Sequence, residues 1–189
     1  NRATAATVET AVDAGRSGHK LMLMTVFGRF VDMRDLANAY REAYMEAGHD
    51  PAGMNVAALA YVYMHEDGDM ARKNWAPYRD NYRAFTKALV ENKGITQGIQ
   101  AYYQRLGADR FAIRESDFCG SPQEVSEQIL TADEALGGID SLIGYFDLGG
   151  LPREATFASV DMFAEEVIPR VGPVLGRSHA ADGPRHATA

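Results

Sequence analysis

The chain has 189 residues, 46% of them hydrophobic and 24% charged, ordinary globular proportions that suffice for one sizeable core. A formal net charge of −7 argues against nucleic acid or an anionic membrane as the main partner. The single cysteine, Cys119, excludes an internal disulfide and fits a reducing cytoplasm. No apolar run approaches the ~20 residues of a membrane span, and no signal-peptide pattern is present.

In chain order, Thr4 to Ala14 reads as a helix with Val8, Ala11 and Val12 on one face and Gly15 as its stop. Because the chain opens at Asn1 directly in this pattern, the natural N-terminus is expected upstream. His19 to Val26 is a buried strand that ends at Phe27-Gly28. Asp32 to Ala47 is an amphipathic helix with Met33, Leu36, Ala37, Tyr40, Ala43 and Tyr44 inward, closed by Gly48. Asn55 to Met64 is a second buried strand. Asp69 is read as the N-cap of a long helix through Trp75, Tyr78, Tyr82, Phe85 and Leu89. A further helix covers about Thr96 to Leu106, and Pro122 to Ala135 is the next one.

The stretch from Ser141 to Arg170 closes the pattern. Leu142, Ile143, Tyr145, Phe146 and Leu148, bounded by glycine pairs, read as a third buried strand. The period then changes, and Phe157, Val160, Phe163, Ala164, Val167, Ile168 and Val171 fall on one helical face. Pro152 suits the entry to that helix and Pro169 its exit. From Gly176 a small, polar tail (176–189) is expected to be disordered, leaving 1–175 as the folded unit. Strands alternating with helices imply a parallel α/β sheet with helical crossovers. With three strands, the length falls short of the ~250 residues of a complete eight-stranded barrel.

The segments YFDLGGLPREATFASVDMFAEEVIP and Cys119-Gly120-Ser121-Pro122-Gln123-Glu124-Val125 resemble the closing strand and helix, and the turn into the penultimate helix, of the bacterial luciferase-like flavin-dependent monooxygenases. The resemblance runs from Thr4 to about Gly172. It implies the C-terminal half of a TIM (β/α)8-type barrel. It also implies an enzyme that oxidises a small organic substrate with O2 and reduced FMN, supplied by a separate flavin reductase, and a homodimer as the complete protein. A deazaflavin-dependent oxidoreductase of the same fold, or a non-catalytic flavin-binding protein on a shortened barrel, are the alternatives. The family's catalytic histidine would lie upstream of Asn1, so no catalytic residue is assigned.

Two groups of residues are candidates for binding. Thr7 and Thr10 stand three apart at a helix start, where unpaired N–H groups and the positive dipole end favour an anion. They read equally as a helix cap and a surface residue, and Glu9 between them adds negative charge. The resemblance places the flavin phosphate at these hydroxyls and at the backbone near Ala6. Phe27 and Tyr63, at the ends of the first two strands, read as core aromatics or as walls of an apolar pocket for a flavin or substrate. The run His65-Glu66-Asp67-Gly68-Asp69 lacks the spaced, converging ligands of a metal site and reads as acids at a helix start. No metal is expected.

Overall fold

The computed structural model describes residues 1–91 and 114–175; for 89–91 it gives the backbone only. The expected helix over 96–106, the tail from 176 and the side chain of Leu89 lie outside the described residues. Five parallel strands form the sheet: β1 (Arg2–Ala5), β2 (Lys20–Leu23), β3 (Val56–Met64), β4 (Asp117–Gly120) and β5 (Ser141–Tyr145). The main helices are α1 (Val8–Arg16), α2 (Phe30–Glu46), α3 (Gly68–Glu91), α4 (Pro122–Ala135), α5 (Arg153–Met162) and α6 (Ile168–Val171). This is the parallel, helix-crossed α/β arrangement expected, with two strands more than the sequence suggested.

The sheet is organised on β3. It pairs with β2 from Val56 to Ala58, with β5 from Ala57 to Tyr61, and with β4 from Tyr61 to Met64. Parallel strands covered on both faces read as unbroken apolar runs, and VAALAYVYM is one. Its alternate side chains go to opposite sides. Val56, Ala58, Ala60, Val62 and Met64 join the larger core beneath α1, α2 and α4. Tyr61 and Tyr63, with Leu59 beside them, enter a second apolar cluster with Trp75, Leu148 and Leu151.

The N-terminal segment differs from expectation. Arg2–Ala5 is a strand paired with β2, and the helix begins only at Val8, because Thr7 and Thr10 close a capping box there. Gly15 lies inside the helix, not at its end. A side chain at that position would meet the Tyr40 carbonyl and the Tyr44 N–H, so glycine lets α1 and α2 approach closely. The turn is made instead by Gly18, at φ 65°. β2 is also shorter than expected: after Leu23 the chain tightens into a single 3-10 turn, Thr25–Phe27.

The inward residues expected of α2 are all buried, and α4 occupies the range expected. The cap of α3 is Asp67, not Asp69: its carboxylate accepts from the N–H groups of Asp69 and Met70 at 2.8 and 3.1 Å. Along that helix Trp75 is buried and Phe85 is 61% exposed.

At the C-terminal end, β5 stops at Tyr145 and is only half-buried, with Ile143 and Tyr145 exposed. It pairs, among the described strands, with β3 alone, so one edge stays open. On α5 and the turns after it, Ser159, Val167 and Val171 face the core, while Phe157, Val160 and Ile168 are exposed. Pro169 does not end the helix. It lacks the N–H of a regular turn, and the preceding residues, Phe163–Val167, widen into a π turn that carries the chain on to Val171.

Candidate functional site

Because all five strands run parallel, their C-terminal ends open on one face of the sheet. At the end of β1, Ala6 and Thr7 turn into α1. The Thr7 hydroxyl accepts from the Thr10 N–H at 3.3 Å, and the Thr10 hydroxyl donates to the Thr7 carbonyl at 2.9 Å. The N–H groups of Ala6 and Thr7 both point to the Thr10 oxygen, at 3.4 and 3.3 Å, and the two hydroxyl oxygens stand 3.2 Å apart. Thr10 is therefore more than a surface residue: it completes the cap that Thr7 begins. The N–H groups of Val8 and Glu9, in the first turn, have no acceptor within a helix.

Beyond β2, the Thr25–Phe27 turn is tied down on both sides. The Thr25 hydroxyl donates to the Leu59 carbonyl, and the Ser116 hydroxyl donates to the Thr25 carbonyl at 3.1 Å. This holds Phe27 against the end of β3. Phe27 and Tyr63, 8% and 4% exposed, belong to one apolar cluster, and Ala6 packs on its margin. The structure thus brings Ala6, Phe27 and Tyr63 onto one patch. Burial raises the Tyr63 hydroxyl above the ordinary phenol range, while a hydrogen bond from the Asn74 side chain opposes it.

α3 roofs this patch. The Trp75 ring lies almost parallel to that of Tyr63 and is 1% exposed, and its indole N–H has no acceptor among the described residues. Gly149, after β5, seats against the Tyr78 carbonyl at φ 61°, a position with no room for a side chain. That contact fixes the β5 loop against α3.

Two long-range arrangements around β4 were not read from the sequence. Glu124 caps α4 from within, accepting from the Ser121 N–H at 2.7 Å, and pairs with Arg72 of α3 at 2.9 Å. The Ser121 N–H and Arg72 hold its carboxyl below the usual carboxylate range. Gly68 and Gly120 leave space for that carboxylate, which a side chain at either would meet. The capping box Ser121-x-x-Glu124 was a visible signal; the partner on α3 was not. Buried Asp117 opens β4 and is held by Arg83 at 2.6 Å, with Arg79 and Arg114 each at 3.7 Å. Desolvation pushes its carboxyl upward and Arg83 opposes that. A four-residue strand beginning on a buried carboxylate needs those arginines.

Cys119 is buried, and desolvation pushes its thiol up to about 12, the setting of a structural cysteine. His65 accepts from the Asp67 N–H at 3.0 Å within its own turn, and the described residues contain no group of three or more metal-ligating side chains. No helix among them is long and apolar enough to cross a membrane.

The family model of the luciferase-like monooxygenases matches residues 3–138. The chain belongs to that family. The match stops short of β5, whereas likeness to solved structures extends over most of the chain. Monooxygenase RslO1 from Streptomyces bottropensis is 22% identical with a TM-score of 0.66, covering 89% of this chain and 47% of its own. The oxygenating constituent of 3,6-diketocamphane monooxygenase from Pseudomonas putida, solved with FMN, is 21% identical with a TM-score of 0.61, covering 89% and 48%. The coenzyme F420-dependent tetrahydromethanopterin reductase of Methanopyrus kandleri is 18% identical with a TM-score of 0.57, covering 89% and 50%. The chain therefore spans about half the length of these structures, and the likeness shows a part of their barrel fold. None of the curated proteins matches it by sequence.

Proposed function

We propose that this chain forms the flavin-phosphate side of a luciferase-like monooxygenase, which as a complete protein oxidises a small organic substrate. The observation that carries the reading is the convergence of Ala6, Phe27 and Tyr63 on one apolar cluster, with the Thr7–Thr10 cap adjoining it.

The residues fit the two ends of such a cofactor. At one end, the first N–H groups of α1 and the Thr7 hydroxyl are donors suited to a phosphate. At the other, Phe27 and Tyr63 give an apolar wall that excludes water from a flat ring, as chemistry sensitive to solvent requires. The buried Trp75 N–H, which lacks an acceptor among the described residues, is a group that the polar edge of such a ring can satisfy. Bound and reduced by a separate reductase, FMN would supply the electrons for oxygenation. The described residues here bind and orient, and no acid–base pair among them is assigned to the reaction. Likeness to a monooxygenase component solved with FMN supports FMN; likeness to an F420-dependent reductase supports a deazaflavin as the second reading.

Titrating the full-length protein with FMN and with F420, followed by flavin fluorescence, tests this. Saturable binding of one of them is expected. Binding of neither would overturn the proposal.

A further inference from the structure

The cleft at the far end of the second cluster lies between α3 and the loop after β5. It is lined by Asn81, Tyr82, Phe85 and Gly149 and holds about 310 Å³, at the lower end of the range for small-molecule sites. Of the tyrosines gathered there, Tyr82 lines the cleft itself. Tyr82 lies 5.6 Å from Tyr61 and 6.1 Å from Tyr145, and Tyr61 lies 6.0 Å from Tyr145, centroid to centroid. Tyr82 packs against the cluster of Phe27 and Tyr63, so the cleft adjoins that cluster.

We propose that this cleft takes the organic substrate, and that the substrate is a neutral, planar, aromatic molecule. The inference rests on the flavin reading above, which makes the adjoining patch the cofactor's. Three features select that class. The Tyr82 and Phe85 rings that line the cleft offer offset or edge-on contacts to another ring, a geometry a flexible chain cannot exploit. Phe85 is 61% exposed at the rim, an apolar side chain left uncovered where a ligand would cover it. None of the four described lining residues is charged, and the nearby Arg83 is engaged by Asp117 at 2.6 Å, so a charged substrate would be desolvated with no partner among the described lining residues. Asn81 supplies one amide for a hydroxyl or carbonyl on the rim.

Equilibrium dialysis of the full-length protein against 2-naphthol, 2-naphthoate and 1-decanol, with FMN titrated in parallel, tests the assignment. Saturable binding of 2-naphthol is expected, with 2-naphthoate and 1-decanol each at least about tenfold weaker, a difference of about 1.4 kcal/mol. Phe85→Ala should weaken 2-naphthol about fivefold or more and leave FMN affinity unchanged. Because Phe85 is exposed, this variant should keep the wild-type melting temperature. Unchanged 2-naphthol affinity in Phe85→Ala would overturn the placement, and equal binding of 1-decanol or 2-naphthoate would overturn the class. Should FMN bind while 2-naphthol does not, the cleft assignment fails and the flavin reading stands. If FMN does not bind, the flavin reading fails first and the substrate role with it.

Discussion

The rings of Tyr63 and Trp75 lie 8° from parallel with their centroids 6.4 Å apart, which joins the end of β3 to the helix that crosses above it. Trp75 is the chain's only tryptophan, so indole emission reports this one spot. Buried at 1% exposure, it should emit at short wavelength in the folded protein. A flavin ring bound against Tyr63 should quench that emission on saturation, in step with the flavin signal. Full flavin binding with undiminished tryptophan emission would place the ring elsewhere.

The closing helix gives a test of packing. Val167 is fully buried and Phe157 is 54% exposed, although sequence periodicity put both on one face. Val167→Asp buries an unpaired charge at a cost of about 3 kcal/mol or more, whereas Phe157→Asp should change stability by about 0.5 kcal/mol or less. Phe163, which is half-buried and packs edge-on against Phe146 at 5.4 Å, should fall between them when changed to Asp. Thermal unfolding of the three variants decides it; equal losses at 157 and 167 would restore the periodic face.

β5 pairs with β3 alone among the described strands, and it exposes Ile143 and Tyr145. An open, apolar strand edge is a template for association. The 189-residue chain should therefore self-associate in sedimentation experiments, and Ile143→Lys should shift it toward monomer. A monodisperse monomer at high concentration would show that the edge is protected.

How much of this was legible in the sequence followed from the range of the forces involved. α2 and α4 were readable because their apolar period and their stops are local: Gly48 ends one, and Ser121 with Glu124 starts the other. β3 was readable because both of its faces are buried. β1 was not, since Arg-Ala-Thr-Ala carries little strand preference and forms a strand only by pairing with β2. β4 was hidden for a different reason: Asp117 looks like a loop residue until Arg83, 34 positions away, neutralises it. Gly15 was read as a stop because its actual role, letting α2 approach, depends on Tyr40 and Tyr44. The burial of β5 was overestimated because an apolar run does not reveal whether a neighbouring strand covers it.

Within the candidate site, Phe27 and Tyr63 were legible as aromatics at strand ends, and Thr7 as a helix start. Their meeting on one cluster with Ala6 was not, since it depends on the parallel register of three strands. Nor was the roof, because the stacking of Trp75 on Tyr63 requires the direction of α3, set by Asp67 and by the seat of Gly149 against Tyr78.

The Thr7–Thr10 turn is proposed to hold the phosphate of a flavin. The Thr7 hydroxyl in contact with a charged acceptor is worth about 1.5–3 kcal/mol, and each threonine also caps α1, worth about 1 kcal/mol. Two ligands separate these effects, because riboflavin has the ring of FMN without its phosphate. The decisive measurement is a fluorescence titration of the full-length Thr7→Ala/Thr10→Ala variant and wild type with both. The account predicts FMN affinity lowered about tenfold or more, with riboflavin affinity nearly unchanged. Equal FMN affinity in the two proteins, or an equal loss for both ligands, would contradict it and leave Thr7 and Thr10 as a helix cap alone.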